Sequence, residues 1–294
     1  VRDEKKTRRV IMPQRKPFFE LPYSERQFIV FAGDEVVEAN EKAEALNAED
    51  WKYFVSAEAY IDYIKSQIGP VTQDLLWRIN GLLRSYLAAK KEGIKLRLVE
   101  RNLAASFQLP PGHPRDHTVY VGHPAQPQRY MMLADFHREV FQHKFSEIIS
   151  ILLNLGARDI HVKSMKGWGL DFLISLDPVH LSLPVNDGGF KSCQELQGNV
   201  EQVVLLHTAP DIHTAPSLPE SVLWYPFEPT WKWVGEGRMK FGLDQYVVDL
   251  GYREDYDVNE QLKVKLEKAG FSLGGDLEKQ VATLWRLFGQ FWPQ

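Results

Sequence analysis

Cysteine is almost missing from this chain of 294 residues, where Cys193 stands alone. A single thiol closes no internal disulfide and completes no zinc ribbon, so stability has to come from packing. It also fits a reducing compartment, and a cytoplasmic location is the expectation. Long apolar runs are lacking too. None approaches the roughly 18 to 20 residues that span a bilayer, and no apolar signal-peptide core follows the charged start. Neither sign of charge dominates: 35 Lys and Arg stand against 39 Asp and Glu, for a net charge of −4. That balance gives no global pull towards nucleic acid or anionic lipid, because counterion release needs a concentrated cationic surface. The G-x-S-x-G elbow, the P-loop, H-E-x-x-H and CxxC are absent, which leaves the usual hydrolase, NTPase and zincin readings unsupported.

What the chain does have is apolar and aromatic mass. With 44% hydrophobic and 12% aromatic residues it can bury a real core. The patterns below predict an α+β fold with a mixed or antiparallel sheet, several flanking helices and a basic N-terminal arm. Residues 1–22 read as that arm, extended or disordered, because Lys5, Lys6, Arg8, Arg9, Arg15 and Lys16 are interspersed with prolines and no period is sustained. Residues 23–294 read as one globular unit, with a sub-boundary near 177–200.

Local chemistry predicts the elements. Phe28 to Phe31 is a short apolar strand, and Asn40 is placed to cap an Ala- and Glu-rich helix. Ser56 with Glu58 starts a helix through Tyr60, Ile61 and Ile64, closed by Gly69-Pro70. Thr72 caps Leu75 to Lys91, Gly93 stops it, and Ile94, Leu96 and Leu98 alternate as a strand. Thr118 to Gly122 is another short strand. From Met131, Leu133, Phe136, Val140, Phe141, Phe145, Ile148, Ile149 and Leu152 recur at helical spacing and predict a buried stripe that ends at Gly156. Ile160 and Val162 then alternate, and Lys166-Gly-Trp-Gly169 turns the chain towards Phe172, Ile174 and Leu176 in a predicted hairpin. A helix closed by Gly delivers a strand at Gly93 and again at Gly156. Such a unit suits a parallel crossover, although the Rossmann glycine fingerprint is missing at both.

Beyond Leu176, prolines from Pro178 to Pro229 interrupt all but a strand at Val200 to Leu206. Met239, Phe241 and Leu243 alternate as a strand, as do Tyr246, Val248 and Leu250. Asp257 and Glu260 resemble a capping box for a helix that Gly270 ends. Asp276 is expected to cap a terminal amphipathic helix through Trp285, Leu287, Phe288, Phe291 and Trp292, of the kind that lies in a membrane interface.

Candidate sites are weighed against structural roles. His113, His117 and His123 with Asp116 are ligand types that zinc or non-haem iron accepts, but Pro114 breaks any helix that would align the first two, and no metal is assigned. Asp135, Glu139, His143 and Glu147 recur every four residues, which stacks them in a column read as a solvated helix face. Cys193 has His180 and His207 near it in sequence, yet no cationic neighbour or helix N-terminus to make it a nucleophile. No catalytic set and no cofactor are assigned, and no pattern names a small-molecule ligand. Trp224, Tyr225, Phe227, Trp231 and Trp233 are dense in the residue types that dominate interface hot spots. Together with Arg8 and Arg9 of the arm they form the predicted binding set. The expected function is therefore a non-enzymatic interaction or effector protein, part of a larger assembly with a protein partner. Three alternatives stay open. One is a membrane-surface or pore-forming protein, and another is a hydrolase or metal-dependent enzyme built on the His137/His143 helix. The third, ranked last, is nucleic-acid binding through the basic arm.

Overall fold

A computed structural model describes residues 17–49, 54, 56–169, 202–207 and 215–293, with 47–49 and 202–207 followed by backbone alone. The architecture is α+β: the described residues form two four-stranded sheets with helices packed between and around them. The predicted arm residues Arg8 and Arg9, and also Cys193 and His180, lie outside the described residues.

The first sheet has the order β2-β1-β3-β4, formed by Leu96–Glu100, Phe28–Ala32, Tyr120–Gly122 and Tyr130–Met132. β1 is buried along its whole length because β2 and β3 flank it and both of its faces are covered. A short helix, α1 (Tyr23–Arg26), precedes it. Between β1 and β2 run α2 (Asp34–Glu49), α3 (Ala57–Gln67) and α4 (Gln73–Lys91), and β2 returns parallel to β1 with Phe28 opposite Leu96. The expected crossover is thus present at the first glycine-closed helix. Ser56 Oγ accepts from the Ala59 amide at 3.1 Å and Thr72 Oγ1 from Leu75 at 3.3 Å, so both predicted caps form. Asn40 is not a cap. α2 already starts after Gly33, whose carbonyl takes the Val36 and Val37 amides, with Asp34 and Glu35 in the favourable first turn. Asn40 instead lies buried inside α2, where its Oδ1 accepts from the Tyr60 hydroxyl at 2.9 Å.

The long central helix, α5 (Phe136–Asn154), begins later than its periodicity suggests. Tyr130 to Met132 leave the helical pattern to form β4 against β3, and Leu133–Asp135 make a single 3-10 turn. The Tyr130 ring lies over Gly122, where an added Cβ would stand only 3.1 Å from it. Nor is α5 half solvated: Gln142 and Glu147 of the expected polar side are buried along with the apolar stripe, and so is His137. Gly156, at φ +82, ends the helix as predicted.

The second sheet is antiparallel throughout, in the order β6-β5-β8-β7, from Gln202–His207, Asp159–Lys166, Thr283–Gln290 and Gln245–Tyr252. The proposed hairpin partner Phe172 to Leu176 falls outside the described residues. β8 overturns the expected terminal helix. Trp285 and Leu287 are fully buried and alternate with the partly exposed Arg286 and Phe288, the period of a strand. Asp276 caps nothing there, and its carboxylate is solvent-exposed 3.8 Å from Lys263. The helix that motivated the membrane-surface reading does not exist. A second correction concerns Met239 to Leu243: residues Pro229–Phe241 form a helix, α6, opened by Pro229 in its first turn and closed by Gly242 at φ +67. Third, α7 (Glu260–Lys268) is capped by Asn259, whose Oδ1 accepts from Gln261 and Leu262, because Asp257 sits too early in a left-handed conformation at φ +60.

One hydrophobic cluster joins α5 to the inner faces of both sheets and to α2, α3, α4, α6 and α7. A smaller one, built on Ile29, Phe31, Val99, Phe107, Tyr120 and Tyr130, lies on the other face of the first sheet. Phe18 and Phe19 pack on it, with the Phe19 ring 4.9 Å from that of Phe107. The end of the predicted arm is therefore part of the fold, since two adjacent phenyl rings gain more from burial than from solvation. Among the described residues no helix is long and apolar enough to cross a membrane.

Candidate functional site

The polar column of α5 is an attachment rail. Glu147 Oε2 accepts the Leu223 amide and Oε1 accepts those of Trp224 and Tyr225, each at 2.8 Å. One helix turn away, His143 Nδ1 accepts the Trp224 indole N–H at 3.1 Å. Lys144 donates to the Gly251 carbonyl at 2.9 Å, pairs with Glu228, and stands 5.5 Å from the centre of the Trp224 ring. Glu139 pairs with Arg129 at 2.8 Å. The segment before α6 is strapped onto α5 by its own backbone, which accounts for the buried carboxylate: three amide donors replace its lost hydration.

Beneath this strap two histidines meet. The His123 and His143 rings lie 4.7 Å apart in an edge-to-face arrangement, and Trp224 closes over both. His123 is wholly buried, and its Nδ1 accepts the amides of Ala125 and Gln126 at 3.1 Å each. That occupancy places its proton on Nε2. Burial holds His123 down to about 2, with the charges of His143, Arg129 and Arg26 acting in the same direction. Burial, then Arg129, holds His143 down to about 4. His137 is also buried and lowered, its Nδ1 facing the Tyr252 hydroxyl at 2.7 Å and its Nε2 the Val258 carbonyl at 2.6 Å. A carbonyl only accepts, so His137 also carries its proton on Nε2. Burial thus favours the neutral form of all three rings, and the lone pair of each is engaged within the fold.

The predicted binding residues divide. Trp224, Tyr225 and Trp231 are buried in the main core, whereas Phe227 is 76% and Trp233 69% exposed. Trp224 and Tyr225 are drawn in by the Glu147 rail, and Trp231 by helical spacing with Val234 and Arg238 on the inner side of α6. Trp233 overhangs the outer face of the second sheet. There Val247, Phe288 and His161 stand in one row across β7, β8 and β5, and the imidazole of His161 stacks on Phe288 at 5.2 Å. The next row pairs Arg286 with Asp249 in a two-pronged contact at 2.8 and 3.0 Å. Trp233, Tyr246, Val247, Phe288 and His161 line a hollow of about 490 Å³. Phe241, two turns further along α6, is 82% exposed. Val247 and Phe288 were not legible as site residues, yet a signal exists. Each is an apolar residue set in phase between polar ones, Val247 between Gln245 and Asp249 and Phe288 between Arg286 and Gln290.

The loop histidines diverge. His113 Nδ1 bonds the Tyr120 hydroxyl at 2.6 Å, His117 points at Gly81 of α4 from a left-handed backbone, and Asp116 pairs with Arg101 and Arg78. Among the described residues no three His, Cys, Asp or Glu are grouped to hold a metal. No family model, curated protein or solved structure matches this chain.

Proposed function

We propose that this protein acts by binding a protein partner, not by catalysis, through the outer face of its second sheet. The observation that carries the reading is Trp233, 69% exposed beside the apolar row of Val247 and Phe288. A large ring left in water next to other apolar groups marks an interaction site, and Trp is the residue most enriched among interface hot spots. The hollow of about 490 Å³ accepts one or two apolar side chains of a partner segment, while Gln245, Gln290 and the Arg286–Asp249 pair provide a polar rim. The imidazoles support the same reading. A general base needs a free lone pair, and those of His123, His137 and His143 already accept hydrogen bonds from the fold. Phe227 adds a further exposed ring, and Arg8 and Arg9 are the cationic members of the proposed contact set.

A photo-crosslinking amino acid at position 233, compared with one at the equally exposed Trp77, tests the proposal in native extract. The expected result is one discrete adduct at 233 that is absent at 77 and is competed away by unlabelled protein but not by its Trp233→Ala variant. No adduct at 233, or the same adducts at both positions, would rule it out.

A further inference from the structure

We infer that the fold encloses a small inorganic anion of the halide class, held by Arg26 and His123. Arg26 ends α1, immediately before β1, and is 4% exposed. Its Nε and Nη1 are buried without a hydrogen-bond partner, and among the described residues no carboxylate pairs with it. Its guanidinium lies 5.4 Å from the centre of the Tyr23 ring, and its backbone carbonyl accepts the Tyr130 hydroxyl at 2.6 Å. The β1–β3 register, continued by the Gly122 amide donating to the Gln27 carbonyl at 2.8 Å, sets His123 opposite Arg26. The Nδ1 of His123 is filled by two amides, so its proton is on Nε2, and that atom too is buried without a partner. The hydroxyl of Tyr23 is buried and makes no hydrogen bond of good geometry, with the Gln27 side chain its polar neighbour, and burial raises it well above the ordinary phenol, so it keeps its proton.

The orphaned groups of Arg26, His123 and Tyr23 can thus all donate, and one bears a full charge. A lone buried cation is among the most expensive arrangements in a protein, and an anion accepting from several donors relieves it. The neighbouring cation Arg129 is already neutralised by Glu139, which leaves Arg26 as the group in need. A water molecule is the competing occupant. It would accept from two donors and give one proton to the buried, unpartnered Oε1 of Gln126, but it would leave the charge standing. Both donors sit under aromatic walls, Tyr23 on one side and Trp224 on the other, which suits a single-atom ion.

Two measurements on the full chain decide between these occupants. In thermal unfolding at constant ionic strength, chloride and bromide should raise the melting temperature by about 3 °C or more over gluconate, which is too large to enter. Arg26→Met should abolish that difference. In crystals grown in bromide, anomalous scattering should place an ion within hydrogen-bond reach of Arg26 and of His123 Nε2, and this measurement holds even if the variant fails to fold. Equal melting in all three salts, or a water or empty density where bromide is expected, would overturn the inference.

Discussion

Removing the carboxylate of Glu147 should release the strap that precedes α6. The three amides it receives lie at 2.8 Å, and those of Trp224 and Tyr225 are buried. A hydrogen bond to a charged group contributes about 1.5–3 kcal/mol, and a buried donor left without a partner costs about 1–3 kcal/mol. Simple addition overshoots, because the three donors share two oxygens and water enters as the strap loosens. For Glu147→Ala a loss of about 3–5 kcal/mol is expected, the range for breaking a buried charged contact. Glu147→Gln keeps one oxygen, enough for Trp224 and Tyr225, and turns an NH2 against the Leu223 amide, for a loss of about 1–2 kcal/mol. Urea unfolding gives both values. Hydrogen exchange should show the amides of Leu223, Trp224 and Tyr225 losing protection in the Ala variant before those of β7 do. A loss below about 1 kcal/mol for Ala, or a Gln variant no better than Ala, would refute the assignment of Glu147 as the anchor.

Acid should destabilise the protein well before its carboxylates titrate. His123 and His143 are held at about 2 and about 4 against an ordinary 6.5, so above pH 6.5 both states are neutral and nothing is lost. As pH falls below that point the unfolded chain takes protons that the folded chain refuses, and each histidine removes about 1.4 kcal/mol per pH unit. The His143 share is fully lost near pH 4. Urea unfolding at pH 7, 6 and 5 should show this slope, and His143→Gln should reduce it; a flat profile over that interval contradicts the buried neutral pair. Gly289→Ala should disrupt the β5–β8 seam, since the new Cβ would stand 2.0 Å from the Asp159 carbonyl oxygen. A loss of about 2–3 kcal/mol is expected, and a variant that melts with the wild type would show that the strand can shift freely.

The termini of helices were legible because they are local. Ser56, Thr72, Gly93, Gly156 and Gly270 act through their own backbone neighbours, and each does in the fold what its chemistry predicts. Strand β8 was not legible. Leu284, Trp285, Leu287, Phe288 and Phe291 satisfy helical spacing as well as alternation, and only pairing with β5 and β7 selects the strand. In α6 the alternation of Met239, Phe241 and Leu243 is accidental, and Pro229 was the better signal. The candidate site was least visible. Burying a helix carboxylate is rare enough that Glu147 reads as solvated until the amides from 223 to 225 are placed against it. The same contact withdraws Trp224 and Tyr225 from the surface where composition alone would put them, while Trp233 stays outside because α6 turns it away from the core.

The order of strands in the second sheet also governs how the protein is made. β8 lies between β5 and β7, yet the ribosome adds it after every other described strand. Until residue 290 has emerged, β7 has none of the described strands to pair with and the Trp285 slot in the core stays empty. That half of the molecule consequently folds late, through contacts distant in sequence, and its apolar inner face is open to aggregation or to a chaperone until β8 has emerged.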